Sequence, residues 1–155
     1  MFKRILCATD FSETAEAAWD ISCELARLHR AQLTLVHVFV ELPLYSMAEV
    51  PGPAVAQVWD EQRAWVQRAL DERVAAAGTT GLNVRPLLKT GTPASTIADT
   101  AAEEGNDLIV IGTHGRTGLN RLVIGSVAER VVRIAPCPVL TVKPRTSARE
   151  SRAAA

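Results

Sequence analysis

The stretch DLIVIGTHGRTGLNRLVIGSVAERVVRI, residues 107–134, changes its residue pattern twice. Its first residues form a short apolar run, which is typical of a buried strand. Glycines 112, 115 and 125 follow in a segment without a regular period, and Ser126 then begins a run with helical spacing. A strand, a glycine-containing loop and a helix in this order predict a βα unit whose loop lies at the carboxyl end of the strand.

Strand and helix patterns alternate along the rest of the chain. This alternation predicts an α/β domain with a mainly parallel sheet, whose apolar strands are covered by helices on both faces. The predicted strands are Lys3–Asp10, Ala31–Val40, Val84–Lys89, Asp107–Gly112 and Pro138–Lys143. The predicted helices run from a Ser12 cap to about His29, from about Val55 to Ala77, from a Thr92 cap to about Gly105, and from Ser126 to about Ile134, with Glu41–Ala54 as a loop.

Composition and charge exclude several classes of protein. Lys and Arg together number 17, as do Asp and Glu. The chain therefore lacks the excess of basic residues that would indicate nucleic-acid binding. No apolar run reaches the length of a membrane span or of a signal-peptide core, and the three cysteines show no metal-site or disulfide spacing. We therefore expect a cytoplasmic protein with one domain over residues 1–144 and a disordered tail over residues 145–155.

Two strand ends carry the candidate site. The first strand ends at Asp10 and the fourth at Gly112. If these two strands are neighbours and their crossover helices lie on opposite faces of the sheet, a crevice opens between the two strand ends. Glycines let the backbone pass close to a ligand, and the free N–H groups of a helix that begins near Ser126 favour an anion. Ser126 and Glu129 also match a capping box. With Asp10 as an acceptor for ribose hydroxyls, the pattern predicts a nucleotide site.

The same residues have simpler explanations. Glycines and a serine between a strand and a helix are also ordinary turn and cap chemistry, and Asp10 could close the turn that follows its strand. His37, inside an apolar strand, is more typical of a core histidine with a satisfied hydrogen bond. Neither a phosphate-binding P-loop nor a dinucleotide fingerprint occurs in the chain.

Longer stretches of the chain resemble the universal stress protein family. They are ILCATDFSETAEAAW, LTLVHVF, GTPASTI, DLIVIGTHGRTGL and GSVAERVVRIAPCPVLTVK. The ATP-binding branch of that family carries Gly, two residues, Gly, nine residues, Gly and then Ser or Thr, and residues 112–126 match this motif without a departure. The resemblance implies an open five-stranded parallel sheet of order 3-2-1-4-5.

The resemblance also implies which residues contact the nucleotide. The base and ribose side would lie against Ala8, Thr9, Asp10 and Val38, although Ala8 stands where members often have proline. The floor of the site and its phosphate side would be formed by Ile111, Gly112, Gly115, Arg116, Gly125, Ser126 and Val127.

Three functions are compatible with such a site. The first is a stress-response or signalling module that binds ATP, ADP or AMP, with or without Mg²⁺, and turns it over slowly. The second is a slow ATP or nucleotidyl hydrolase, which needs a base for water and a carboxylate for metal that the motif does not supply. The third is an interaction protein with an empty site, against which the intact motif argues. The apolar fifth strand should be a sheet edge, and the resemblance implies a homodimer through it.

Overall fold

The structure is a computed structural model that describes residues 1–40, 52–113 and 125–143 of the 155-residue chain. The described strands are β1 (Arg4–Ala8), β2 (Gln32–Phe39), β3 (Val84–Thr90), β4 (Leu108–Gly112) and β5 (Val139–Val142). The described helices are α1 (Glu13–His29), α2 (Gly52–Gly78), α3 (Pro93–Glu103) and α4 (Ser126–Ile134).

The five strands form one parallel sheet of order β3-β2-β1-β4-β5, as the resemblance implied. β1 lies in the centre, with Ala8 level with Val36 of β2 on one side and Ile111 of β4 on the other. Pro86, which lacks an N–H to donate, lies in the edge strand β3, where a proline is tolerated. The strand order reverses between β1 and β4, so a crevice is expected at their carboxyl ends.

Helices cover both faces of the sheet, because side chains alternate along each strand. Ile5 and Cys7 point into a core beneath α1 and α2, together with Leu33, Leu35, Leu108 and Val110 of the neighbouring strands. Leu6 and Ala8 point the other way, into a core beneath α3 and α4. The near-continuous apolar strands of the sequence are thus explained by burial from two sides.

Ser12 caps α1 as predicted, because its Oγ accepts a hydrogen bond from the backbone N–H of Ala15 at 3.3 Å. Thr92 lies at the N-cap position of α3, before Pro93, but its side chain makes no capping bond. The prediction of a capping box at the start of α4 was wrong. Gly125 occupies the N-cap position and Ser126 is the first helical residue, which leaves the Ser126 hydroxyl one position too late to cap.

Some predictions need correction and others lie outside the described residues. α2 begins at Gly52, three residues before the predicted start at Val55. The remainder of the predicted loop, residues 41–51, and the predicted disordered tail, residues 145–155, lie outside the described part of the chain. The assignment of residues 1–144 to one domain stays a prediction.

Candidate functional site

A pocket of about 330 Å³ lies at the carboxyl ends of the strands, where the strand order reverses. Nine of the eleven residues that the sequence assigned to the site line it, from β1, β2, β4 and the start of α4. These residues are Ala8, Thr9, Asp10, Val38, Ile111, Gly112, Gly125, Ser126 and Val127. The other two, Gly115 and Arg116, lie outside the described residues.

A tight turn after β1 presents Asp10 to the pocket. The Asp10 Oδ1 accepts the backbone N–H of Ser12 at 3.0 Å, and the Thr9 Oγ1 accepts that of Phe11 at 3.0 Å. Phe11, between these two bonds, has a φ of 61°, which is unusual for a bulky side chain. Asp10 therefore closes the turn, as the simpler explanation predicted, and it also lines the pocket.

His37 is a pocket residue that the sequence reasoning missed. Its Nδ1 donates to the carbonyl oxygen of Thr9 at 2.9 Å, so the expectation of a satisfied hydrogen bond was right. Its ring also stacks on Phe11, with centroids 5.2 Å apart, and lines the pocket beside Val38. The sequence could have indicated His37, because it is the neighbour of Val38 near the carboxyl end of β2, which lies level with the end of β1.

The start of α4 presents backbone donors to the pocket. The first bond of the helix runs from the N–H of Glu129 to the carbonyl of Gly125 at 3.0 Å, so the N–H groups of residues 126–128 lie before the helical hydrogen-bond series. All three of these residues line the pocket. The N–H of Gly125 itself donates to the carbonyl of Thr113 at 2.6 Å. The positive end of the helix dipole therefore faces the pocket.

Gly112 serves the packing of the fold as well as the pocket. A Cβ at this position would lie 2.9 Å from the Cγ2 of Thr14 and 3.0 Å from the Thr14 carbonyl carbon and oxygen, in the first turn of α1. Gly125 has a φ of −60° and a ψ of 148°, a conformation that any residue adopts. The sequence-based explanation, close approach to a ligand, is therefore incomplete at Gly112, where close approach to α1 already requires glycine.

The apolar wall of the pocket extends to α3, which the sequence reasoning did not assign. Pro93 and Ile97, from the first turns of that helix, line the pocket with Val36 and Val38. Asp10 is the only carboxylate among the described lining residues. The described lining of the pocket thus combines an apolar slot, one carboxylate and a cluster of backbone N–H donors.

Within the described residues, no group of three or more His, Cys, Asp or Glu side chains is placed to hold a metal ion. None of the helices in the same residues is long and apolar enough to cross a membrane. Both cysteines of the core, Cys7 and Cys23, are free thiols, and burial raises the pKa of the Cys7 thiol to about 12.

Comparisons with known proteins agree with the fold and identify a family. The model of the universal stress protein family matches residues 1–143. The chain is similar to universal stress protein YxiE of Bacillus subtilis, with 30% identity over 92% of this chain and all of that protein. It is also similar to the structure of universal stress protein UspA from Lactobacillus plantarum, with 28% identity, a TM-score of 0.78, and coverage of 90% of this chain and 97% of that one.

A third similarity concerns the fold alone. The chain is similar to the structure of the universal stress protein from Archaeoglobus fulgidus in complex with dAMP, with a TM-score of 0.62 and 23% identity. The alignment covers 92% of this chain and 98% of that one. The match of the family model over residues 1–143, together with the relative at 30% identity, decides the assignment. The chain belongs to the universal stress protein family.

Proposed function

We propose that the protein binds an adenine nucleotide, ATP, ADP or AMP, in the pocket between β1 and β4. The observation that carries this proposal is that nine residues assigned from the motif and the family resemblance line one pocket of about 330 Å³. Its volume lies in the range of about 300–1,000 Å³ that is common for small-molecule sites. The dAMP complex of the A. fulgidus protein agrees with this ligand class, although that likeness itself concerns the fold.

The proposed pose follows from the chemistry of the pocket. The planar base occupies the apolar slot between Val38, Ile97 and Ile111, where it removes apolar surface from water. A ribose hydroxyl donates to the carboxylate of Asp10, and the phosphates accept from the backbone N–H groups at the start of α4. We include Gly115 and Arg116 in the phosphate site on the sequence motif alone.

A Mg²⁺ ion would bind in this pose through phosphate oxygens, because this ion usually keeps several waters and uses only one or two carboxylates. Asp10 alone supplies a carboxylate from the described lining residues, and in the proposed pose the ribose occupies it. The same observation supports slow turnover, since no second carboxylate is present there to act as a base for water. We propose turnover well below about one per second, under the usual enzyme range.

Calorimetry with ATP, ADP and AMP tests the binding site. Ser126→Ala removes a hydroxyl from the phosphate side and is expected to weaken binding, because a hydrogen bond to a charged group contributes about 1.5–3 kcal/mol. Ser95→Ala is the matched control, since Ser95 also lies in the first turn of a helix but outside the pocket. No heat with any of the three nucleotides, or equal affinities of the two variants, would overturn the site. Mass spectrometry of nucleotide released from the denatured protein identifies the natural ligand.

Phosphate release from ATP, measured on the same proteins, separates a binding module from the alternative hydrolase. Release below about one per second agrees with the proposal. Release at tens per second that Ser126→Ala diminishes and Ser95→Ala does not would instead make the protein an enzyme that uses the same site.

As a stress-response or signalling module, the protein would read nucleotide concentration through a change in its own stability or partners. A ligand that binds only the folded state at a hundred times its Kd stabilises that state by about 2.7 kcal/mol. Thermal unfolding with and without each nucleotide measures this effect. An unchanged melting temperature at saturation would contradict such a role.

We further propose a homodimer through β5 and a cytoplasmic location. β5 is an edge of the sheet, its Leu140 is 37% exposed, and exposed edges favour pairing with another chain. Sedimentation at micromolar concentration should show a dimer that Leu140→Lys weakens, whereas a monomer in the wild type would contradict it. Three free cysteines agree with a reducing compartment, and cell fractionation tests this location.

A further inference from the structure

A second cavity, which we call the α1–α2 groove, lies between α1 and α2 on one face of the sheet, outside the nucleotide pocket. Residues spaced by three or four along each helix line it, so one face of each helix forms a wall. Trp65 lies on the α2 side and is 50% exposed, while its ring meets the ring of Phe11 edge-on at 5.6 Å. A half-exposed indole in a groove is the kind of residue that anchors a bound segment.

The groove carries more acid than base. Four carboxylates and two guanidinium groups line it, and one pair of these, Glu16 and Arg73, is joined in an ion pair. Arg27, the other cation, donates to the Thr80 hydroxyl at 3.2 Å. The remaining acids, Asp20, Glu24 and Glu72, form no ion pair with any residue of the described ranges. The groove therefore matches a segment with basic side chains, especially arginine, which pairs with carboxylates and also stacks on indole.

The chain itself contains such a segment directly after β5. Residues 144–155, PRTSARESRAAA, carry three arginines and one glutamate. The segment starts close to α1, because Val142 packs against the core beneath α1 and α2 and lies level with Gly112, which contacts Thr14. Twelve residues can span about 40 Å, whereas a helix is only about 10–12 Å across with its side chains. The segment is long enough to cross α1 and still follow much of the groove.

We infer that residues 144–155 bind in the α1–α2 groove of their own chain. Arg145, Arg149 and Arg152 supply the cations, and the acids at 20, 24 and 72 together with the indole of Trp65 receive them. Because the segment is tethered, its effective concentration at the groove is in the millimolar range, so modest contacts suffice for binding.

The test uses the 155-residue chain and a labelled peptide of residues 144–155 with blocked termini. R145E/R149E/R152E leaves the chain complete but removes its basic segment as a competitor. The peptide should bind this variant and should bind wild-type protein about tenfold more weakly, because the tethered segment competes at about millimolar effective concentration. Equal binding to both proteins, or no binding to the variant, would overturn the proposal.

The groove itself is tested in the R145E/R149E/R152E background. Adding D20K/E24K/E72K should abolish peptide binding, whereas the control D60K/E61K/D99K changes net charge equally at three exposed acids outside the groove and should preserve it. Equal loss in both would show that net charge alone attracts the peptide, against the proposal. If wild-type protein bound the peptide more weakly as the protein concentration rose, residues 144–155 of one chain would occupy the groove of another chain. That result would also overturn the proposal.

Discussion

Gly112 and Thr14 are so close that no side chain fits between them. A Cβ on Gly112 would lie 2.9 Å from the Cγ2 of Thr14 and 3.0 Å from atoms of its backbone. The methyl group could rotate away, but the backbone of the first turn of α1 cannot move without shifting the cap at Ser12. The close packing of the end of β4 against the start of α1 therefore depends on the lack of a Cβ at Gly112.

Gly112→Ala is expected to lower the free energy of unfolding by about 1–3 kcal/mol, the usual cost of overpacking. Urea denaturation measures the change. Gly78→Ala is the control, because no atom lies within 4 Å of a Cβ at that position, at the end of α2. If the two variants were equally stable, the contact with Thr14 would not be what requires glycine at 112.

The two serines at helix starts should differ in stability when replaced by alanine. Ser12→Ala removes a bond to the N–H of Ala15 and should cost about 1 kcal/mol. Ser126→Ala should cost less than about 0.5 kcal/mol, since Gly125 and not Ser126 occupies the N-cap position. Thermal unfolding without nucleotide compares them, and equal losses would restore the capping role that the sequence suggested for Ser126.

Arg30→Gly should stabilise the protein. Arg30 ends α1 with a φ of 55°, a left-handed conformation that favours glycine, and its side chain is exposed. Glycine removes the cost of the left-handed conformation, but it also increases the conformational entropy of the unfolded chain. The free energy of unfolding should therefore rise by about 0.5–1 kcal/mol. The melting temperature should rise by about 1–4 °C.

Arg27→Gly is the control for that measurement, because Arg27 lies inside the last turn of α1 with helical geometry. Glycine there should destabilise the protein by about 1 kcal/mol. A fall in melting temperature with Arg30→Gly as well would show that the side chain at 30 contributes more than its backbone conformation costs.

Alkaline solution should destabilise the protein through its buried thiols. Burial raises the pKa of Cys7 from 9.0 to about 12 and that of Cys23 from 9.0 to about 11. The folded state thus retains protons that the unfolded state loses, so this contribution to stability is complete below pH 9 and is lost as the pH rises through the two folded values.

Urea denaturation between pH 8 and pH 11, on wild-type protein and on C7A/C23A, measures that contribution. The double variant should be less stable at pH 8 because it loses core volume, but its stability should fall less steeply with pH. Parallel curves would show that the thiols do not titrate with folding. The comparison subtracts other groups that titrate in the same window, because both proteins contain them.

Most of the sheet was predictable because four of the strands are largely apolar runs between clear turn residues, whereas β3 contains Arg85 and Lys89. Strand order was different in kind, since no periodicity distinguishes β3-β2-β1-β4-β5 from another parallel order. The family resemblance supplied it. Pro86 gave one independent indication, because it marks β3 as an edge.

The sequence and the family resemblance located the pocket residues at the ends of β1 and β4 and at the start of α4, but missed His37 in β2 and the residues of α3. Pro93 and Ile97 reach the pocket because α3 starts at the same end of the sheet, a relationship that local pattern does not contain. The error at Ser126 has a related cause. A capping box and a helix that starts one residue earlier share the same letters, and only the dihedral angles of Gly125 distinguish them.

The hydrogen bond from Gly125 to Thr113 closes the chain on itself beside the pocket. Thr113 and Gly125, which flank residues 114–124 in the chain, therefore lie at neighbouring points beside the pocket. A reporter domain inserted after Arg116 would leave Gly115 and Arg116 of the proposed phosphate site in the chain and would be joined to the protein beside the proposed ligand. Fluorescence of such a fusion, measured with and without nucleotide, would test whether occupancy of the pocket can be reported from this position.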